Sequence, residues 1–112
     1  MIRARIVLDE RGELRSFSAS GHAGRFSNGR DIVCAAFSVL ARTAYSTLAA
    51  LPGIELRGEA EKPGVLDFEI LNSAAGTERA IGIADFLLTG LGDLAREYPD
   101  AVALTIERDL EE

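Results

Sequence analysis

The sequence predicts a two-layer α+β domain, with two helices packed on one face of a mainly antiparallel five-stranded sheet. Three observations point there. Five short segments alternate apolar and polar residues, and two longer segments repeat apolar residues at steps of three and four. Their order is strand, strand, helix, strand, strand, helix, strand. Most of the strands have one apolar and one polar face, as in antiparallel sheets with one side in water; strands of a buried parallel sheet are apolar throughout. Two amphipathic helices suffice to cover the apolar side. A chain of 112 residues fits a single domain over 1–112.

Each element has its own signal. Ile2, Ala4, Ile6 and Leu8 alternate with Arg3, Arg5 and Val7 in the first strand, and Asp9-Glu10-Arg11-Gly12 forms a turn. Leu14 to Ser20 makes the second strand, with Phe17 and Ala19 on one face. Residues 21–30 form a loop containing Gly21, Gly24 and Gly29. A helix then begins near Asp31, a plausible N-cap, because its carboxylate can accept an N–H of the first turn. Val33, Phe37, Leu40, Ala44, Leu48 and Leu51 supply its apolar stripe, and Pro52-Gly53 stops it. Ile54 to Glu61 and Leu66 to Ile70 alternate on either side of Lys62-Pro63-Gly64, the clearest hairpin in the chain. The second helix runs from about Thr77 to Glu97 through Ile81, Ala84, Leu88, Leu91, Ala95 and Tyr98, and Pro99 closes it. Val102, Leu104 and Ile106 mark the last strand.

Composition narrows the function. The hydrophobic fraction is 47% and the charged fraction 27%, ordinary for a globular protein. A net charge of −6 argues against direct nucleic-acid binding, which needs a basic stripe, and suits encounter with a basic partner. The single Cys excludes an internal disulfide and a Cys-rich zinc site, and no metal or other cofactor is expected. Met1 to Ile6 lacks the apolar core of a signal peptide. No uninterrupted apolar run approaches the ~20 residues of a membrane helix, so the expected compartment is the cytoplasm, away from the membrane.

Cys34 stands out chemically. Near a helix start, unpaired N–H groups and the positive end of the dipole favour the thiolate, the form that attacks carbonyls. With Asp31 as cap, Cys34 is the third helical residue and lies off the apolar stripe, with Ser38 one turn further on the same face. The lone His22 ends the second strand within Gly21-His22-Ala23-Gly24. Cys–His chemistry needs one such base, to take the thiol proton and return it to the leaving amine. A helical Cys can equally be a small core residue, and a loop His a solvated one. The loop lacks the Gly-Lys-Ser/Thr ending of a P-loop and the Gly-x-Gly-x-x-Gly spacing.

The segment Gly21-His22-Ala23-Gly24, then Gly29, Asp31-Ile32-Val33-Cys34-Ala35-Ala36 and Ser38, resembles the signature of the ribosomal-processing cysteine protease (Prp) family. The resemblance implies a bacterial cysteine protease, typically a homodimer. It would remove a short N-terminal extension from large-subunit ribosomal protein twenty-seven, a basic substrate. It implies Cys34 and His22 as the catalytic pair. Gly21, Ala23, Gly24, Gly29, Asp31 and Ser38 would support them or contact the substrate. It also implies a mobile loop between His and Cys that orders on substrate. Arg25-Phe26-Ser27-Asn28 departs from the Tyr or acidic residues of many relatives there, so loop preference is open. Asp31 could cap the helix or orient His22. Two other readings fit the residues: a non-catalytic module that binds a ribosomal or other basic protein, and a redox-sensing thiol protein, which leaves His22 without a role.

Overall fold

In a computed structural model of the chain, residues 1–21, 30–59, 65–72 and 77–109 are described. The alternation in the first segment becomes β1 (Ile2–Asp9), with Ile2, Ala4, Ile6 and Leu8 buried and Arg3 and Arg5 exposed. β2 (Leu14–Ser20) pairs with it antiparallel and sets Ile6 opposite Phe17 and Ala4 opposite Ala19. β3 (Glu55–Glu59) and β4 (Val65–Asn72) form the second hairpin. β4 joins β2 antiparallel, pairing Phe17 with Phe68 and Ala19 with Leu66. The apolar residues therefore fall in register across strands and make one continuous buried face. The sequence assigns β3 a start at Ile54 and runs it past Glu59; the strand begins at Glu55, and residues 60–64 lie outside the described part.

β5 (Val102–Asp109) pairs parallel with β1, so the sheet is mixed, mostly antiparallel, in the order β3-β4-β2-β1-β5. The parallel pair follows from connectivity. A helix must carry the chain from β4 across the sheet, and such a crossover returns a strand in the parallel sense. As an edge strand, β5 is less covered than the alternation suggests: Val102 is buried, but Ile106 is exposed.

The two helices are α1 (Arg30–Ala50) and α2 (Thr77–Glu97), both on the apolar face. α1 buries Val33, Phe37, Ala41, Ala44 and Leu48, as its spacing predicts, except that Ala41 takes the place assigned to Leu40. Leu40 instead turns toward α2, where a Cβ on Gly90 would sit 3.1 Å from its methyl groups. On α2 the stripe is rotated from the expected one. Ala80, Ala84, Leu87 and Leu91 are buried, while Ile81 and Leu88 are only half-covered. Periodicity shows that a stripe exists but fixes its phase only to within about a residue, and the way the helix docks on the sheet decides which neighbour faces the core.

Residues Ile32–Ala50 of α1 have a mean hydropathy of 1.4, long and apolar enough by length and composition to cross a membrane, although Ser38, Arg42, Thr43, Ser46 and Thr47 interrupt the apolar residues. In this fold the stripe from Val33 to Leu48 covers the sheet instead. Aromatic rings fasten α1 there. Phe17 stacks on Phe68 at 5.5 Å and 15°, Tyr45 meets Phe68 edge-on at 5.2 Å, and Phe37 lies 6.4 Å from Phe17. Pairs of this kind add about 0.5–1.5 kcal/mol each beyond their buried area.

Candidate active site

The end of the sheet where β1 begins and β2 finishes opens into a cleft. One wall is α1, through Cys34, Phe37, Ser38, Ala41 and Arg42. The other is made of strand ends: Ile2, Ala19, Ser20, Gly21 and Leu66. The cleft encloses about 80 Å³ of solvent-accessible space and is open to bulk water.

Each wall has a local cause. Cys34, Ser38 and Arg42 follow one another at steps of four, so they lie along one helix face. Phe37, three residues after Cys34, belongs to the aromatic cluster that fixes α1 to β2, so the height of Cys34 above the sheet is set by packing. On the strand side, Gly21 has φ +99°, a conformation that favours glycine. A Cβ there would also collide with the Met1 carbonyl oxygen. Gly21 thus turns the chain out of β2 in space that only a hydrogen atom fits, directly before His22.

The structure places the expected site residues unequally. It brings Gly21, Cys34 and Ser38 to the same cleft. Cys34 is in no disulfide, half-buried and packed against the core; it is not wholly off the stripe as its spacing suggests. α1 starts at Arg30, one residue before Asp31, which puts Asp31 inside the first turn and not at the cap. Cys34 is accordingly the fifth helical residue, in the second turn. Carboxylates are favoured in the first turn as well as at the cap, so the residue type remains suited to its place. His22, Ala23, Gly24 and Gly29 lie outside the described residues, as does the loop expected to order on substrate. Among the described residues no three His, Cys, Asp or Glu side chains gather that could hold a metal ion.

The sequence did not mark Ile2, Ala19, Ser20, Phe37, Ala41, Arg42 and Leu66 as cleft residues. Only Arg42 had a signal, the four-residue step from Ser38. Phe37 and Ala41 reach it as core-facing residues of α1, while Ile2, Ala19, Ser20 and Leu66 reach it through strand pairing, which no local pattern shows.

This arrangement presents a thiol at the mouth of an apolar cleft edged by hydroxyls and one guanidinium. The sequence profile of a family described as cysteine protease Prp matches residues 1–103. The chain belongs to the cysteine protease Prp family. It is thus a cysteine protease, of the α+β architecture described above.

Solved structures agree with the fold. A protein of Streptococcus mutans, SMU.848, superposes with a TM-score of 0.76 at 28% identity, covering 97% of this chain and 96% of its own. The essential ribosomal processing protease Prp from S. aureus, in complex with a covalently linked product peptide, gives 0.79 at 21% identity, covering 96% and 100%. The same S. aureus protease with a substrate peptide gives 0.78 at 20%. At these last two identities the likeness is one of fold. No curated protein matches the chain in sequence.

Proposed function

We propose that this protease removes a short N-terminal extension from large-subunit ribosomal protein twenty-seven, with Cys34 as nucleophile and His22 as general base and acid. The position of Cys34 in the cleft, within a chain of the Prp family, is the observation that supports this most directly. The name of the S. aureus relatives, a ribosomal processing protease bound to peptides, supports the substrate class. His22 takes the thiol proton as sulfur attacks the scissile carbonyl carbon, then delivers it to the departing amine nitrogen. Water releases the acyl group from sulfur by the reverse sequence. N–H groups of the first turn of α1, which have no partner inside the helix, are suited to hold the oxyanion. Ser38 offers a hydroxyl on the cleft side, and Gly21, next to His22 in sequence, ends β2 in a turn. A chain of net charge −6 meets a basic ribosomal protein with favourable steering. Processing such a substrate belongs in the cytoplasm.

The decisive experiment incubates the purified protein with a peptide copying the N-terminus of the same organism's ribosomal protein and follows products by mass spectrometry. Cleavage at one bond, lost in Cys34→Ala, is expected. Binding without cleavage, equal in wild type and Cys34→Ala, would replace this reading with the non-catalytic binding module.

The homodimer that the family resemblance implies has a suitable surface. Between α1 and α2 an apolar groove includes Val39 and Phe86, 64% and 70% exposed. A second copy covering it would remove large apolar side chains from water, at about 1.5–3 kcal/mol each. Phe86→Glu should shift the protein to monomer in sedimentation; an unchanged mass would place the interface elsewhere.

A further inference from the structure

The cleft extends beyond Cys34, and its far end has a chemistry of its own. Arg42 lines it on the α1 wall, two turns from Cys34 on the same helix face. Among the described lining residues it is the one with a fixed charge. Residues eight apart on a helix are about 12 Å apart along its axis. An extended peptide advances about 3.3 Å per residue. A substrate strand lying along α1 with its scissile carbonyl at Cys34 therefore passes Arg42 three or four residues away. Between the two points the cleft is lined by Phe37, Ala41, Leu66 and Ile2, which accept apolar side chains.

We propose that Arg42 is a specificity-determining residue that selects substrates with an oxygen-bearing side chain, carboxylate or carboxamide, three or four residues from the scissile bond. The inference rests on the reading of Cys34 as the nucleophile and adds the substrate class to it. A guanidinium is the side chain best matched to such groups. It presents five N–H donors in a planar fork, so an interaction within the protein leaves others for a ligand. Its setting also favours selectivity. A half-covered cation in a largely apolar cleft gains from a carboxylate or amide oxygen and is poorly matched by an aliphatic side chain. The rest of the chain is strongly acidic, so a cation inside the cleft counters the repulsion that an acidic peptide residue would otherwise meet.

The test is a cleavage profile on a mixed library of peptides with every side chain represented near the scissile bond, read by mass spectrometry for wild type, Arg42→Ala and Arg42→Lys. Wild type should enrich Asp, Glu, Asn or Gln over Leu about tenfold in kcat/KM at one position three or four residues from the cut. Arg42→Ala should erase that preference alone. Arg42→Lys should keep it for Asp and Glu and lose it for Asn and Gln, since an ammonium retains the charge without the planar fork. Loss of folded protein lowers all peptides together and leaves the profile's shape intact. No enriched position in wild type, or an enrichment that survives in Arg42→Ala, overturns the proposal. Library cleavage with the Arg42 signature but no cut in the ribosomal peptide would defeat the ribosomal substrate while leaving Arg42 in place.

Discussion

β1 runs between two very different poles. At its far end, Asp9 and Glu13 close the turn into β2. Asp9 Oδ1 accepts the N–H groups of Arg11 and Glu13, both at 2.9 Å, and Arg11 reaches Glu13 at 3.2 Å and Asp9 at 3.5 Å. Glu13 is buried, and its Oε1 has no hydrogen-bond partner among the described residues. At the near end, the polar side chains of Ser20, Ser38 and Arg42 border an opening, with Cys34 among them. One pole directs its polar groups at each other and shuts; the other directs them at a cleft. The same hairpin thus ends in a structural knot on one side and a candidate site on the other.

The sharpest way to break this comparison is chemical. Cys34→Ala should reduce cleavage at least about 10⁴-fold, the scale seen when a nucleophile is removed. His22→Ala should reduce it by about 10²–10⁴-fold. Cys34→Ala should leave thermal unfolding within about 1 kcal/mol of wild type, since trimming one half-buried sulfur opens no large cavity. Residual full activity in either variant would move the chemistry away from this pole.

Glycine substitutions separate the poles next. Gly12, in the far turn, has φ +90° with no atom within 4 Å of a Cβ, while Gly21 combines φ +99° with the Met1 backbone. Gly12→Ala should cost about 1–2 kcal/mol from strain alone, with activity retained. Gly21→Ala adds overpacking, for a total of about 3 kcal/mol, and should depress cleavage beyond what lost stability explains. Denaturant melts beside activity assays decide this; equal effects at the two sites would mean that the Gly21 turn does not position His22.

Arg11→Ala should destabilise by about 1–2 kcal/mol, because it leaves the buried Glu13 carboxylate without its cation, discounted for the largely exposed Arg11. Glu13→Gln in the Arg11→Ala background should recover part of that loss, with cleavage unaffected throughout. A smaller effect still belongs to the open face of the sheet. The hydrogen bond from Arg5, aided by its charge, holds the Glu107 carboxyl below its usual range despite some desolvation. A lowered folded value contributes stability that is present above the unfolded carboxylate range and is lost as pH falls through the folded value. Glu107→Gln should therefore flatten slightly the acid limb of a stability profile below about pH 5, and salt should shrink the difference. An unchanged acid limb would show that this exposed pair adds nothing.

Much of the fold was legible because its signals are local. The alternation of Ile2, Ala4, Ile6 and Leu8 marked the buried face of β1, and Pro52-Gly53 marked the end of α1. The spacing of Cys34 and Ser38 predicted a shared helix face, which the cleft bears out. Errors arose where a partner element decides. Leu40 was displaced from the core stripe by α2, the α2 stripe was rotated toward Ala80 and Leu87, and β5 exposed Ile106 because it ends the sheet.

By itself, the sequence determined the element types, their order, the sheet's buried face and the residues with chemistry to offer, because period and residue type depend on neighbours a few positions away. Only the tertiary structure decided that β5 runs parallel beside β1, that β2 lies between β1 and β4, and that Ile2, Ser20 and Leu66 meet α1 around Cys34. Strand order and helix docking are chosen by long-range pairing and by how two apolar faces fit. The cleft is a product of that fit: residues as distant in sequence as Ile2 and Leu66 become its wall when the strand ends align beneath one helix.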